Sequence, residues 1–414
     1  MSALRTLILL LLAAFLVWKG IVPALTQIDT DFPNYYTSAK LFHEGADVSQ
    51  FYDDAWFAQQ IRGQGIEVDG KFFPFPPLTV VLMMPLSGLP PLSALQVWTG
   101  INLLLLGAIF LILKRFIAAT PLIIAGIILG SGIGLANNFR FGQWYVMLLF
   151  IITCGYYYWQ KGSPAFAGML FGIGAVFKYF PLLFLILFAL RREWKGLLAC
   201  LGTFVLLNLA GAALVGIAAY ATFFRSVLWN HISANMQNPF SAVFQSWESL
   251  FRRLFVADPA LNPEPFIDFP AGFVIGTSLM IGFVVIVTSR TMIHLRRSGY
   301  ENTLAHQFVV LTLMGLALLP ASATYHFVLL VLPMAILFSL RAQMSGPVYY
   351  AILGLYFILG FIPYRFFIRF DGSGLYSVFA YPRLAVITAI LFTAIIVTEQ
   401  ALRRKLVSPS VSLT

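Results

Sequence analysis

Apolar residues run through this chain in long, nearly unbroken stretches, and polar residues gather in the gaps between them. Stretches of this length predict membrane-crossing helices; an amphipathic soluble helix would show an apolar stripe every three to four residues. The first predicted span runs from about Leu7 to Leu25 and is followed by a long polar connection, 26–76. A short apolar stretch, Leu78 to Leu86, lies between Pro76-Pro77 and Pro90-Pro91. It is too short to cross about 30 Å of hydrocarbon, so it is expected to lie at the interface or to enter partway. Full spans are then expected over Leu95–Leu113, Pro121–Leu135 and Trp144–Trp159. Others follow near 197–219, 271–289, 304–320, 325–340, 347–363 and 382–399. The segment Ala165–Leu190 is interrupted by Lys178 and Pro181. It reads as two half-length helices meeting near Lys178-Tyr179-Phe180-Pro181. The expected fold is therefore all-α and polytopic, with about 11–12 transmembrane or half-membrane helices in one integral-membrane domain over 1–414.

Composition agrees with that reading. The chain has 414 residues, 60% hydrophobic and only 10% charged, against about 25% charged in a typical soluble domain. The ten-residue alternating segments of a β-barrel are absent from the sequence. The net charge of +10 comes from basic residues at predicted helix ends, which fits positive-inside topology rather than nucleic-acid binding. The basic clusters are Lys114/Arg115, Arg191/Arg192/Lys195, Arg290/Arg296/Arg297, Arg341 and Arg403/Arg404/Lys405. They fall on one side when both termini are cytoplasmic and 165–190 is a broken pair. The long connections 26–76, 220–270 and 364–381 then face the opposite, periplasmic side and hold most of the acidic and aromatic residues. The apolar stretch within Met1–Val22 resembles a signal peptide, but no small-x-small cleavage site follows, and it is expected to be a retained first helix. Cys154 and Cys200 lie in apolar stretches and read as packing residues. The five histidines lack metal-ligand spacing, so no metal or other cofactor is expected.

Polar groups at the membrane boundary are the candidates for chemistry. Asp29 and Asp31 follow the first span. Asp31 also opens a polar-aromatic run, with Tyr35, Tyr36, Ser38 and Lys40, that predicts a helix over about 33–44, which its carboxylate would cap and Pro33 would start. Asp29 competes with it for the same roles. Lys178 is a cation inside an apolar segment, suited to an anion in a cavity or to snorkelling at a helix end. Asn137, Asn138, Arg140 and Gln143 crowd a predicted turn that suits either a solvated connection or the binding of phosphate and sugar hydroxyls. His326 opens a span after Leu319–Thr324, either as a structural residue or as a donor to a phosphate or acceptor. Phe73 is a further candidate lining residue. In 220–270, Trp229, His231, Asn235, Gln237, Asn238 and Trp247 suggest an acceptor-side wall or a packed cap.

The ordered set DFPNYYTSAKLFHEG with Phe51-Tyr52, FFPFPPLTVVLMMPL, FRFGQWYVMLLF, GMLFGIGAVFKYFPLLFL before Arg191-Arg192, and SATYHFVLLVLP resembles glycosyltransferase family 87. That family belongs to the C-type superfamily of polyprenyl-phosphate-sugar-dependent enzymes. The likeness covers the first 190 residues or so and, less fully, the region near 320–335. It implies a C-type architecture with a long first outer loop and a catalytic base at the end of the first helix, which falls on Asp31. Lys178 and His326 match the lysine and histidine of the family's broken-helix and late motifs. Lys178, Arg140 and His326 become candidates for binding the donor phosphate, with Gln143, Tyr35 and Tyr36 lining the cavity. The implied reaction is inverting transfer of a mannose- or arabinose-like sugar. The donor is a polyprenyl monophosphate sugar and the acceptor a lipid-linked or cell-envelope glycan at the outer face of a bacterial inner membrane. Asp29-Thr30-Asp31 formally matches the Asp-x-Asp of nucleotide-sugar enzymes, but the charge bias puts it on the face away from the cytosol. The competing expectation is a transporter or flippase of a lipid-linked sugar, which would carry its ionisable groups near the bilayer midplane.

Overall fold

The computed structural model describes residues 2–228, 238–300 and 303–407. Among them there is no β-strand, only an isolated antiparallel bridge between Asp258 and Asn262. Five helices are long and apolar enough to cross a bilayer: Ala3–Thr26, Pro91–Phe116, Trp194–Val215, Pro270–Arg297 and Pro382–Arg403. Two bent pairs also pass as broken spans, Pro121–Gly130 with Ile133–Arg140 and Gly346–Phe361 with Tyr364–Phe370. Their bends are 68° and 80°. Six shorter apolar helices accompany them. The all-α polytopic reading stands, but several predicted spans are shorter than the hydropathy suggested. Thr303–Ala317 has 15 residues and is buried almost throughout. At about 1.5 Å per residue it falls short of the hydrocarbon thickness.

The residues group into two compact units. The first holds 1–116, 120–233 and 327–329; the second holds 117–119, 234–326 and 330–414. In the first unit, the predicted polar connection 26–76 is in fact folded. It contains helices Phe32–His43 and Asp54–Gly63 and ends in the 3₁₀ helix Pro77–Leu86. Phe72 is the hub of its core, with ring centroids 5.6 Å from Phe51, 5.1 Å from Tyr52, 5.9 Å from Phe57 and 6.1 Å from Phe75. Hydropathy averaging hid this core because its aromatics are interleaved with polar surface residues.

The predicted break at Lys178 is present. Pro164–Phe177 stops at Lys178, whose backbone is extended, and a 3₁₀ turn Phe180–Phe184 leads into Leu185–Arg191. Pro181 dictates this. Its ring would collide with the carbonyl four residues back, that of Phe177, and it has no N–H to offer it. The first half-helix is held against Trp194–Val215 by backbone contact. A Cβ on Gly168 would lie 2.1 Å from the Gly196 carbonyl oxygen, and one on Gly172 2.6 Å from that of Cys200. Small residues one turn apart let two helices in a membrane approach this closely.

The second unit is built around the buried helices Thr303–Ala317 and Val331–Ser339. Helix Trp247–Phe255 begins with a capping box formed by Ser246 and Ser249. One residue, Gln245, fastens three segments there. Its amide nitrogen donates to the carbonyls of Ala242 (2.6 Å) and Ala380 (2.9 Å), and its Oε1 accepts from the Arg383 N–H (3.0 Å). Its backbone N–H donates to the Ser322 carbonyl at 3.1 Å. Trp229, His231, Asn235 and Gln237 lie outside the described residues.

Candidate functional site

The first span ends at Thr26, and the chain turns extended at Gln27. The two acids that follow have different environments. Asp29 is committed: one carboxylate oxygen accepts the Thr30 N–H at 2.8 Å and the other meets Arg140 Nε at 2.6 Å. Asp31 has a left-handed backbone, φ 68° and ψ −49°, with the Phe32 N–H bonded to the Thr30 carbonyl at 2.9 Å. This is a γ-turn of the rare, strained kind. A non-glycine residue held so costs on the order of 1–3 kcal/mol and persists only where its surroundings enforce it.

Those surroundings are visible. Helix Phe32–His43 starts directly after the turn, with Pro33 at its first positions and Phe32, Tyr35 and Tyr36 fully buried. The turn Phe141–Gln143 packs against its first residue: Gly142 has φ +61°, and a Cβ there would lie 2.8 Å from Phe32. The expected helix thus forms within a residue of its predicted start. The expected cap does not: Asp31 occupies the N-cap position, yet its side chain accepts no bond from the helix N–H groups.

Instead the carboxyl of Asp31 is hydrogen-bonded to the side chain of Gln143 and lies in the field of Lys178. Gln143 Oε1 accepts from the Tyr35 hydroxyl at 2.9 Å, which leaves the amide nitrogen as its donor to Asp31. The Tyr35 oxygen in turn accepts from Lys178 Nζ at 3.2 Å. Asp31, Gln143, Tyr35 and Lys178 therefore form one hydrogen-bonded path assembled from three separate parts of the chain. Burial raises the proton affinity of the Asp31 carboxyl above the ordinary aspartate range. The Gln143 bond and the Lys178 charge oppose that rise without cancelling it, and Asp29 adds to it.

Lys178 sits in an aromatic box. Its ammonium lies 4.6 Å from the ring centroid of Phe75, 5.3 Å from Tyr145 and 5.7 Å from Tyr35. Cation–π attraction holds the charge there without neutralising it. Tyr35 is itself braced by Phe75 at 4.5 Å and by Trp144 at 5.6 Å, and Trp144 packs against Trp98 at 4.3 Å with the rings tilted. Phe75, Tyr145, Trp144 and Trp98 escaped the residue-by-residue reading. The signal was the aromatic density of the FFPFPP and FGQWY stretches, which composition alone does not separate from core.

The remaining candidates divide. Asn137, Asn138 and Arg140 belong to helix Ile133–Arg140 and not to an open turn. That correction follows from Asn138, whose Oδ1 accepts the Tyr145 and Val146 N–H groups at 3.0 and 3.2 Å and starts the next helix. The Tyr36 hydroxyl is spent on the Leu89 carbonyl at 2.7 Å, outside the Asp31 path. Phe73 is buried, with Lys71 over its ring at 5.5 Å. His326 belongs to the second unit. Its Nδ1 accepts the Ala323 N–H at 3.0 Å, so a neutral ring carries its proton on Nε2, a donor. Asn238 Oδ1 accepts the Phe240 N–H, and Trp247 opens the capped helix. Among the described residues no group of three His, Cys, Asp or Glu side chains is placed to hold a metal ion.

Glycosyltransferase family 87 matches this sequence over residues 73–320, more than half of the chain. The match includes Arg140, Gln143 and Lys178, begins after Asp31 and Tyr35, and ends before His326. A curated relative is the polyprenol-phosphate-mannose-dependent alpha-(1-2)-phosphatidylinositol mannoside mannosyltransferase of Mycobacterium tuberculosis. It is 27% identical over 278 residues, 62% of this chain and 59% of that protein. The alignment therefore spans about three-fifths of the relative's length. Among solved structures, apo ArnT from Cupriavidus metallidurans aligns with 98% of this chain and 78% of its own. The TM-score is 0.41 and the identity 14%.

Proposed function

Because the chain belongs to glycosyltransferase family 87, we propose that it moves a hexose or pentose from a polyprenyl monophosphate donor to a lipid-linked or cell-envelope glycan. Mannose is the favoured sugar, since the mycobacterial relative is named for polyprenol-phosphate-mannose dependence. The reaction takes place at the outer face of the bacterial inner membrane, with both termini cytoplasmic. The basic clusters at one set of helix ends support this orientation.

One observation carries the mechanism: Asp31 is a strained, uncapped carboxylate of raised proton affinity joined through Gln143 and Tyr35 to Lys178. The leaving group is a phosphate, stable as an anion, so the reaction needs a base at the acceptor and a cation at the phosphate. Asp31 removes the proton of the acceptor hydroxyl as that oxygen bonds to the anomeric carbon. The anomeric carbon–oxygen bond to phosphate breaks on the opposite face, and its electron pair leaves with the polyprenyl phosphate. The configuration inverts. A carboxylate with a raised pKa is the stronger base, and general-base assistance of this kind contributes about 10²–10⁴-fold. Lys178 supplies the charge for the phosphate, with Arg140 as a further donor. Tyr35 and Gln143 set the geometry between base and cation, and Tyr36 fixes the helix that carries Tyr35. Asp29 is held on one oxygen by Arg140 and on the other by the Thr30 N–H, so it is less free than Asp31 to turn toward an acceptor.

The test is to incubate the purified protein with synthetic polyprenyl-phosphate mannose and a short mannolipid, with the product read by NMR. A mannolipid of anomeric configuration opposite to the donor's is expected. A product that retains the configuration contradicts the single-base mechanism, and donor movement across the bilayer without transfer would favour a flippase.

A further inference from the structure

The second unit contains two buried arginines, and they are treated differently. Arg253, on helix Trp247–Phe255, faces the Asp371 carboxylate through Nε at 2.8 Å and Nη2 at 3.1 Å. Its Nη1 donates to the Leu261 carbonyl at 2.6 Å and to Asn262 Oδ1 at 3.1 Å. Arg383 is 3% exposed, yet its Nε and Nη1 have no hydrogen-bond partner. Its guanidinium stands 4.8 Å from the Tyr364 ring centroid, and the Tyr364 hydroxyl is buried and equally unpartnered. A guanidinium keeps its charge at every physiological pH and has only donors. Unpaired inside protein, it is among the most costly groups a fold can carry. Native structures tolerate such groups where a ligand completes them.

Position adds a second argument. Arg383 is the second residue of helix Pro382–Val407. The positive end of the helix dipole repels a cation there and attracts an anion. The backbone around it is fixed: Gln245 Oε1 holds the Arg383 N–H, and the same side chain ties Ala242 and Ala380 to it. The site is preorganised, and its unsatisfied groups can all donate. We propose that Arg383, with the Tyr364 hydroxyl, binds an oxyanion of the phosphate class. The helix it opens is long and apolar enough to cross a bilayer, and the anions met at the end of such a helix are lipid phosphates. The phosphoryl headgroup of an amphiphile is the expected ligand. This assignment does not depend on Asp31 or on glycosyl transfer.

The experiment uses the full chain in an uncharged detergent, with thermal unfolding followed by tryptophan fluorescence. Short-chain phosphatidic acid and inorganic phosphate are titrated separately, with phosphatidylcholine as the zwitterionic control. Wild type should be stabilised by phosphatidic acid in a saturable way, and Arg383→Met should lose that response. Without added anion the Met variant should melt at or above the wild-type temperature, because an unpaired buried charge has been replaced by an apolar side chain of similar length. If inorganic phosphate alone reproduces the Arg383-dependent response, the ligand is a free phosphate group and the site stands. Should Arg383→Met not fold, Arg383→Lys decides. Losing the planar fork should weaken the phosphatidic acid response by about tenfold, and an unchanged response overturns the site. Absence of any anion response in wild type, or an equal response in Arg383→Met, also overturns it.

Discussion

Asp31 in the first unit and Asp371 in the second are both carboxyls whose proton affinity is raised by burial. Their partners separate them. Asp371 is gripped on both oxygens by Arg253, and the backbone N–H groups of Ala242 and Gly372 help to hold it ionised. Asp31 has the Gln143 amide and only the field of Lys178, whose ammonium is bonded to Tyr35. A carboxylate clamped by a guanidinium is a fastener: its orientation is fixed, and its loss opens a fold. A carboxylate met by an amide keeps an electron pair for a proton. Asp29, clamped by Arg140, belongs with Asp371 despite lying two residues from Asp31.

The largest expected effect that would break this contrast is on stability in the second unit. Removing one partner of a buried pair leaves an uncompensated charge, so Arg253→Ala should destabilise by about 3–5 kcal/mol, read as a loss of folded protein in a detergent melt. Arg253→Ala that melts like wild type would end the description of Asp371 as a fastener. Next in size, Lys178→Met should lower kcat/KM for sugar transfer about 10–150-fold, the worth of a charge-assisted hydrogen bond of roughly 1.5–3 kcal/mol. It should also move the acid limb of the pH profile. As the proposed base the Asp31 carboxyl must be ionised, so activity is expected to fall as pH drops through its raised pKa. Loss of the nearby cation raises that pKa further and shifts the limb to higher pH. A limb that stays in place removes the coupling.

Smaller still, Tyr35→Phe breaks one neutral link in the path and should cost up to about tenfold in kcat. Asp31→Asn separates a base from a cap by its effect on stability. Because the folded pKa is raised, folding favours the protonated acid, and the cost of burying the carboxylate is present above the folded pKa and absent below the unfolded one. At neutral pH the neutral amide should therefore melt at or slightly above wild type. A capping aspartate would instead gain nothing from that change, since Asn caps about as well as Asp.

Much of the fold was legible because its signals are local. Pro33 after an acid marked the start of helix Phe32–His43, and Lys178 with Pro181 marked the broken helix. Long apolar runs identified Ala3–Thr26 and Pro382–Arg403 as spans. Hydropathy overstated the length of Thr303–Ala317, because a helix buried on all sides by protein is as apolar as one facing lipid. It missed the core around Phe72 for the converse reason. The residues of the candidate site were legible as candidates, and their wiring was not. Asp31, Tyr35, Gln143 and Lys178 were each singled out, but Tyr35 meets Gln143 across 108 residues and Lys178 across 143. The pairing of Asp29 with Arg140, which separates the two acids, spans 111. Arg383 gave no signal, since a basic residue near a helix end reads as topology until its missing partners are seen.

Asp31, and not Asp29, is proposed to take the acceptor proton, and this assignment can be measured. It is tested most directly by transfer rates of Asp31→Asn and Asp29→Asn in lipid nanodiscs, from the same polyprenyl-phosphate mannose to the same mannolipid. For Asp31→Asn a fall of about 10²–10⁴-fold in kcat is expected, with donor KM little changed. Asp29→Asn, losing a partly exposed ion pair worth about 0–1 kcal/mol, should stay within a few-fold of wild type. Full activity in Asp31→Asn, or the large loss falling on Asp29→Asn instead, would contradict it.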